Sequence, residues 1–147
     1  MADTFKIYKE DTVIVEGASP LSITGVAANT QISAGTYKAT RVKDNKESDK
    51  VDIPGFKTLP IVVTGITLNK TTLAKIVGET EKLTATVAPA NATDKTVTWT
   101  TSDAKIATVG ADGTVTAIAV GSATITAKAG TKTATCVVTV SEPANEE

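Results

Sequence analysis

Residues 63–140 read VTGITLNKTTLAKIVGETEKLTATVAPANATDKTVTWTTSDAKIATVGADGTVTAIAVGSATITAKAGTKTATCVVTV, and the alternation within this stretch decides the fold. Leu83, Ala85 and Val87 alternate with Lys82, Thr84 and Thr86, and Val97 and Trp99 alternate with Thr96, Thr98 and Thr100. Further on, Ala123, Ile125 and Ala127 interleave with Ser122, Thr124 and Thr126, and Ala134, Cys136, Val138 and Val140 with Thr133, Thr135, Val137 and Thr139. Successive side chains of a strand point to opposite faces, so each run presents one apolar face and one face that is mostly threonine. That is the pattern of a strand packed on one side and wet on the other. Ala111-Asp112-Gly113 and Ala129-Gly130-Thr131 place glycine where a tight hairpin needs positive φ. Short strands with turns at this spacing predict a β-sandwich.

The same stretch carries Gly65-Ile66-Thr67-Leu68, Val77-Gly78-Glu79-Thr80, Val87-Ala88-Pro89-Ala90, Val97-Thr98-Trp99, Ile106-Ala107-Thr108-Val109, Asp112-Gly113-Thr114-Val115 and the closing Ala134–Val140 in order. In these segments it resembles the group-2 bacterial immunoglobulin-like family along its whole length. The resemblance implies a complete sandwich whose usual work is to present, space or decorate something on a surface. Trp99 and Cys136 both fall on apolar faces, Trp99 beside Val97 and Cys136 between Ala134 and Val138. They are expected to fill the core rather than to bind a sugar or to react, because a reactive thiol needs an electropositive, partly open setting.

Composition narrows the function classes. The formal net charge is −1, and both halves are near neutral, with eight basic and eight acidic residues in Met1–Thr64 and seven and eight in Gly65–Glu147. No basic field exists to hold nucleic acid or an acidic membrane surface. Histidine is absent, which removes the commonest general acid–base group and metal ligand together. No phosphate loop, nucleophile elbow or Cys/His metal spacing occurs, so no catalytic, cofactor-binding or metal residue is assigned and no cofactor is expected. Asp94, Asp103 and Asp112 lie in turn-like stretches, where a carboxylate serves the backbone rather than catalysis. A non-enzyme is expected.

The N-terminal sixty residues read as a smaller β unit. Phe5–Tyr8 and Val13–Val15 form a hairpin across a polar turn, Leu21–Thr24 is a further short strand after Gly17–Pro20, and Thr36–Val42 is a longer one. Lys43–Glu47 supplies its turn and Ser48–Ile53 returns before Pro54-Gly55. The mixed charges of Lys43–Asp52 read as a solvated hairpin tip, with an ionic docking patch as the alternative. Residues Leu21–Thr30 and Tyr37–Ser48 are similar to the second half of a fibronectin type III domain. The resemblance departs at Ile32, where the tyrosine of that fold's corner would stand. The first strands of the fold are missing too, which leaves about five strands, with open edges and apolar surface for a neighbour or another chain to cover.

The expected architecture is all-β, two immunoglobulin-like sandwiches in tandem, the first small and incomplete: residues 1–60 a truncated fibronectin-III-like docking domain, 61–141 the group-2 domain, 142–147 a disordered acidic tail. Thr58–Thr64, apolar and β-prone, is expected to be a short, stiff connection. Modules of the resembled family occur on bacterial adhesins, surface-layer proteins and phage virions. Met1–Lys6 leads into a strand without an apolar leader, and no run of eighteen apolar residues follows. The expectation is therefore a phage structural protein assembled in the host cytoplasm and located on the virion. The N-terminal domain would dock on the major capsid or tail protein, with the C-terminal domain projecting in many copies on a lattice or as a homo-oligomer. A weak contact with host-surface glycan is a further expectation. The alternative is a fragment of a bacterial adhesin or carbohydrate-binding surface protein, and a third class is a domain detached from a secreted glycan-degrading enzyme.

Overall fold

Alternating threonine and aliphatic residues become strand after strand in residues 3–143, the part of the chain that the computed structural model describes. The chain divides into two compact units, Met1–Pro60 and Ile61–Glu147.

In the first unit, β1 (Thr4–Lys9) and β2 (Thr12–Gly17) form the expected hairpin, and Glu10 turns it with φ 55°. Ile7 pairs with Val15 but Tyr8 pairs with Val13, so Ile14 is the extra residue of a β-bulge. β3 (Gln31–Ile32), β4 (Tyr37–Lys43), β5 (Lys46–Glu47), β6 (Val51–Asp52) and β7 (Phe56–Lys57) follow. The main sheet has the order β2-β1-β4-β5, with β6 also on β4, and β3 pairs with β7 separately. Its buried apolar residues are Ile7, Tyr8 and Tyr37, and Phe56 stacks on Tyr37 with ring centroids 6.1 Å apart.

Three expectations change here. Leu21–Thr24 is not a strand: its side chains alternate between half-buried and exposed, but no neighbouring segment pairs with it. The turn after β4 is shorter than Lys43–Glu47, because Asp44 and Asn45 take φ 49° and 60° and close a two-residue hairpin loop. Lys46 and Glu47 then already pair with Lys43 and Val42. The return along β4 is carried by β5, by the Ser48 amide bonded to the Arg41 carbonyl at 2.9 Å, and by β6. Seven strands stand where about five were expected, because the two-residue pairing of β3 with β7 is too short to read as strand beforehand.

The second unit contains β8 (Gly65–Leu68), β9 (Thr72–Ile76), β10 (Thr80–Lys82), β11 (Ala85–Ala88), β12 (Thr98–Thr101), β13 (Ala107–Val109), β14 (Thr114–Ala117), β15 (Gly121–Ala129) and β16 (Lys132–Ser141). One sheet runs β12-β15-β16-β9, another β10-β14-β13, and β11 pairs with β8. β15 and β16 form a nine-pair antiparallel hairpin, and β16 pairs with β9 in parallel. Leu83, Val115, Ile125, Cys136 and Val138 fill the centre, each at most 1% exposed.

The run Lys82–Val87, expected as one strand, is broken at Leu83-Thr84. β10 pairs with β14 and β11 with β8, so the chain changes partners there. The Leu83 amide donates to the Gly113 carbonyl at 2.9 Å and the Thr84 amide to Asn69 Oδ1 at 2.9 Å. Gly113 itself has φ +85°, and a Cβ there would lie 2.4 Å from the Leu83 carbonyl oxygen and 2.9 Å from Trp99 Cζ2. Only glycine meets both demands.

Candidate functional site

The residues that could tempt a chemical reading are mostly structural. Cys136 is 0% exposed, and burial raises its thiol pKa, which keeps it protonated and unreactive. Trp99 packs on the core side of its strand as expected, though the ring is half-buried and not enclosed. It packs against both apolar clusters of its unit, yet with Lys82, Leu83, Thr84, Ala85, Val97 and Asp112 it also lines a shallow hollow of about 210 Å³. The ring lies close over Gly113, where a Cβ would stand 2.9 Å from Trp99 Cζ2.

Asp94, Asp103 and Asp112 each accept the amide of the residue two positions on, from Thr96 at 2.9 Å, Lys105 at 2.8 Å and Thr114 at 3.1 Å. These are Asx turns in separate loops. The Thr114 hydroxyl and amide also hold the Asp112 carboxyl below its ordinary value. Among the described residues no group of three or more His, Cys, Asp and Glu could hold a metal ion, and no helix is long and apolar enough to cross a membrane.

The N-terminal unit offers the more distinctive surface. Glu47, brought onto β5 by the tight hairpin, accepts hydrogen bonds from the Tyr8 hydroxyl, from Thr40 Oγ1 at 2.8 Å and from Lys6 Nζ at 3.1 Å. The Tyr8 hydroxyl first, then Thr40 and Lys6, lower its pKa to about 2. Near neutral pH it is an anion and an anchor, not a proton donor. Lys50 sits 4.3 Å from the centre of the Tyr8 ring and bonds Asp11 Oδ1 at 2.8 Å, and Lys38 pairs with Asp52 at 3.2 Å. Much of the Lys43–Asp52 charge is thus used to tie β5 and β6 to the sheet. Lys43 and Lys46 make no ion pair among the described residues, and with Arg41, Asp44, Glu47 and Ser48 they line an open hollow of about 540 Å³.

At the opposite edge, β2 has no second neighbour in the sheet, and Val13 and Ile14 on it are 42% and 43% exposed. An edge strand with apolar side chains is a template for pairing with another chain, and the bulge at Ile14 restricts the register it accepts. Val13–Val15 were legible beforehand as strand. The Tyr8–Glu47 bond joins residues 39 apart in sequence, and nothing local announces it.

Over 84 residues the chain is 52% identical to an Ig-like virion protein of Serratia phage KSP90, covering 55% of this chain and 33% of that protein. Over 74 residues it is 51% identical to an alpha-L-arabinofuranosidase of Bifidobacterium longum subsp. longum, covering 48% of this chain but 7% of the enzyme. The chain thus spans about a third or less of the length of these relatives. Among solved structures, surface layer protein SbsC, domains 1–6, matches 96% of this chain and 20% of its own with a TM-score of 0.55 at 22% identity, a likeness of fold alone. The bacterial Ig-like domain (group 2) matches residues 62–140, from the end of the connection through the last strand of the sandwich, and by that match the chain belongs to the group-2 bacterial Ig-like family.

Proposed function

We propose that this chain is a non-enzymatic structural protein of a phage virion, seated on head or tail through its N-terminal unit with the Ig-like unit projecting outward. The observation that supports this most is the 52% identity over 84 residues to an Ig-like virion protein. The docking role falls to the N-terminal unit because it holds the free, partly apolar β2 edge, with Val13 and Ile14 exposed, whereas the Ig-like unit has the fuller apolar core. Copies repeated on a symmetric particle would make a modest contact per copy effective.

A second reading has its own support. The arabinofuranosidase matches at nearly the same identity over 74 residues, which fits a module of a longer surface or glycan-acting bacterial protein. Mass spectrometry of gradient-purified particles separates the two. The first reading expects the chain in a fixed ratio to a capsid or tail subunit, and Ile14→Lys to remove it from particles that still assemble. Absence from particles, or recovery within a longer polypeptide bearing a glycosidase domain, supports the second reading and sinks the first.

A further inference from the structure

The N-terminal unit holds a hollow of about 290 Å³ between its main sheet and the segment that follows β2. Lys9, Ile14, Val15 and Tyr37 line it from the sheet, and Ser22, Thr24 and Gly25 from the segment. Lys9 and Tyr37 stand directly opposite each other on β1 and β4, and Val15 stands opposite Ile7. Opposed residues share a face, so Lys9, Val15 and Tyr37 all stand on the side of the sheet that carries Ile7.

The polar groups here are free to a degree unusual for the unit. Residues 18–26 make no backbone or side-chain hydrogen bond among the described residues, so the amides and carbonyls of 22–25 and the hydroxyls of Ser22 and Thr24 are all unpaired. Gly25 has φ +76°, and a Cβ built on it would meet nothing within 4 Å. Tyr37 is 5% exposed, with its ring stacked on Phe56. No buried side-chain nitrogen or oxygen among the described residues lacks a partner, so the Tyr37 hydroxyl, which bonds none of them, reaches water.

The charge in the hollow is one-sided. Lys9 enters no ion pair among the described residues, and no carboxylate lines the space. Asp11 is held by Lys50 at 2.8 Å and Asp52 by Lys38 at 3.2 Å. Glu16 stands opposite Lys6, on the other face of the sheet. Glu10 follows Lys9 in the turn and is exposed; it weakens the pull on an anion without occupying the hollow.

We propose that this hollow binds one residue of an acidic sugar, a hexuronate. Lys9 meets the carboxylate in a charge-assisted hydrogen bond. The free hydroxyls and the unpaired amides and carbonyls of 22–25 both donate and accept, as sugar hydroxyls do. Ile14 and Val15 face the C–H groups of the ring. A neutral sugar offers Lys9 no charge, and a bare carboxylate leaves the carbonyls of 22–25 to water. The volume lies at the small end of ligand sites, which suits a single ring. This inference stands apart from the virion reading and is tested on the purified chain.

Amide chemical shifts of the full chain, titrated with methyl glucuronide to about 50 mM, read the binding directly. Methyl glucoside and N-acetylglutamate serve as the neutral and the peptide-like probes. The glucuronide should move the amides of Lys9 and of residues 22–25 in a saturable way, with the glucoside at least about tenfold weaker. Lys9→Met should weaken binding about tenfold and Tyr37→Phe about threefold, the latter with an unchanged melting temperature because its hydroxyl has no protein partner. Glu10→Gln should bind at least as tightly as the native chain. No saturable shift, equal binding of the glucoside, indifference to either Lys9→Met or Tyr37→Phe, or weaker binding in Glu10→Gln would each overturn the proposal. Equal binding of N-acetylglutamate would overturn it too, by showing a site for any carboxylate.

Discussion

The two units of this chain are held together by different means. In the N-terminal unit the buried apolar side chains are Ile7, Tyr8 and Tyr37, whereas the Ig-like unit buries fourteen, from Ile66 to Val140. What the smaller unit lacks in core it replaces with a polar network, in which Glu47 gathers Tyr8, Thr40 and Lys6, and Lys50 links the Tyr8 ring to Asp11. Apolar burial tolerates imperfect geometry and is insensitive to pH. A network around one carboxylate depends on geometry and on charge. The small unit should therefore be the conditional part of the molecule.

The comparison can be broken cleanly because the optical probes are segregated. The single tryptophan, Trp99, lies in the Ig-like unit, and both tyrosines, Tyr8 and Tyr37, lie in the other. The largest effect is expected from Leu83→Ala, which empties a fully buried site and should cost about 2–5 kcal/mol. Urea melts followed by Trp99 emission should shift while the tyrosine signal stays in place. If both move together, the units are one cooperative block and the contrast fails. Cys136→Ser should cost about 1–3 kcal/mol in the same transition by burying a hydroxyl where a thiol packed. Reductant should leave the melting point of the native monomer unchanged, because the chain has one cysteine.

Acid sharpens the contrast next. Glu47 is held at about 2 against an ordinary 4.5, so the folded N-terminal unit favours the carboxylate. Its contribution is complete above pH 4.5 and drains away as pH falls toward 2. Glu81 in the Ig-like unit is also lowered to about 2, by Lys70 and Lys75, but its core remains when that carboxyl is protonated. The tyrosine-monitored melting temperature should fall more steeply over this window than the Trp99-monitored one, and Glu47→Gln should flatten the tyrosine curve. Equal slopes would mean that the network contributes no more than an ordinary surface pair. The smallest effect is expected from Lys82→Ala, whose partner Asp112 is 3.7 Å away with both side chains more than half exposed. The Trp99-monitored midpoint should move by less than about 0.5 kcal/mol.

How much of this was legible beforehand depended on whether the pattern reported burial or partnership. The runs Ala123–Ala127 and Ala134–Val140 were read directly, because two long strands pair with each other across one glycine turn. The run Leu83–Val87 kept its alternation through a change of partner, since side chains can go on facing the core while the backbone passes from β14 to β8. Leu21–Thr24 showed the reverse, an alternation of burial with no ladder beside it. The exposed β2 edge was half legible: Val13–Val15 stood out as an apolar strand, but the bulge at Ile14 follows from register, which one strand alone cannot state.

The parallel pairing of β9 with β16 has a mechanical meaning. The Ig-like unit begins beside the Gly130 turn, where Val63 lies, and its last strand leaves at the opposite end, so tension between those points runs along the strands. β16 is drawn one way while β9 is anchored from the opposite end through β8. The contacts from Val137 opposite Thr72 to Ser141 opposite Ile76 are then loaded together in shear, not peeled one at a time. Tension across this unit would open it only when that whole row of contacts fails at once.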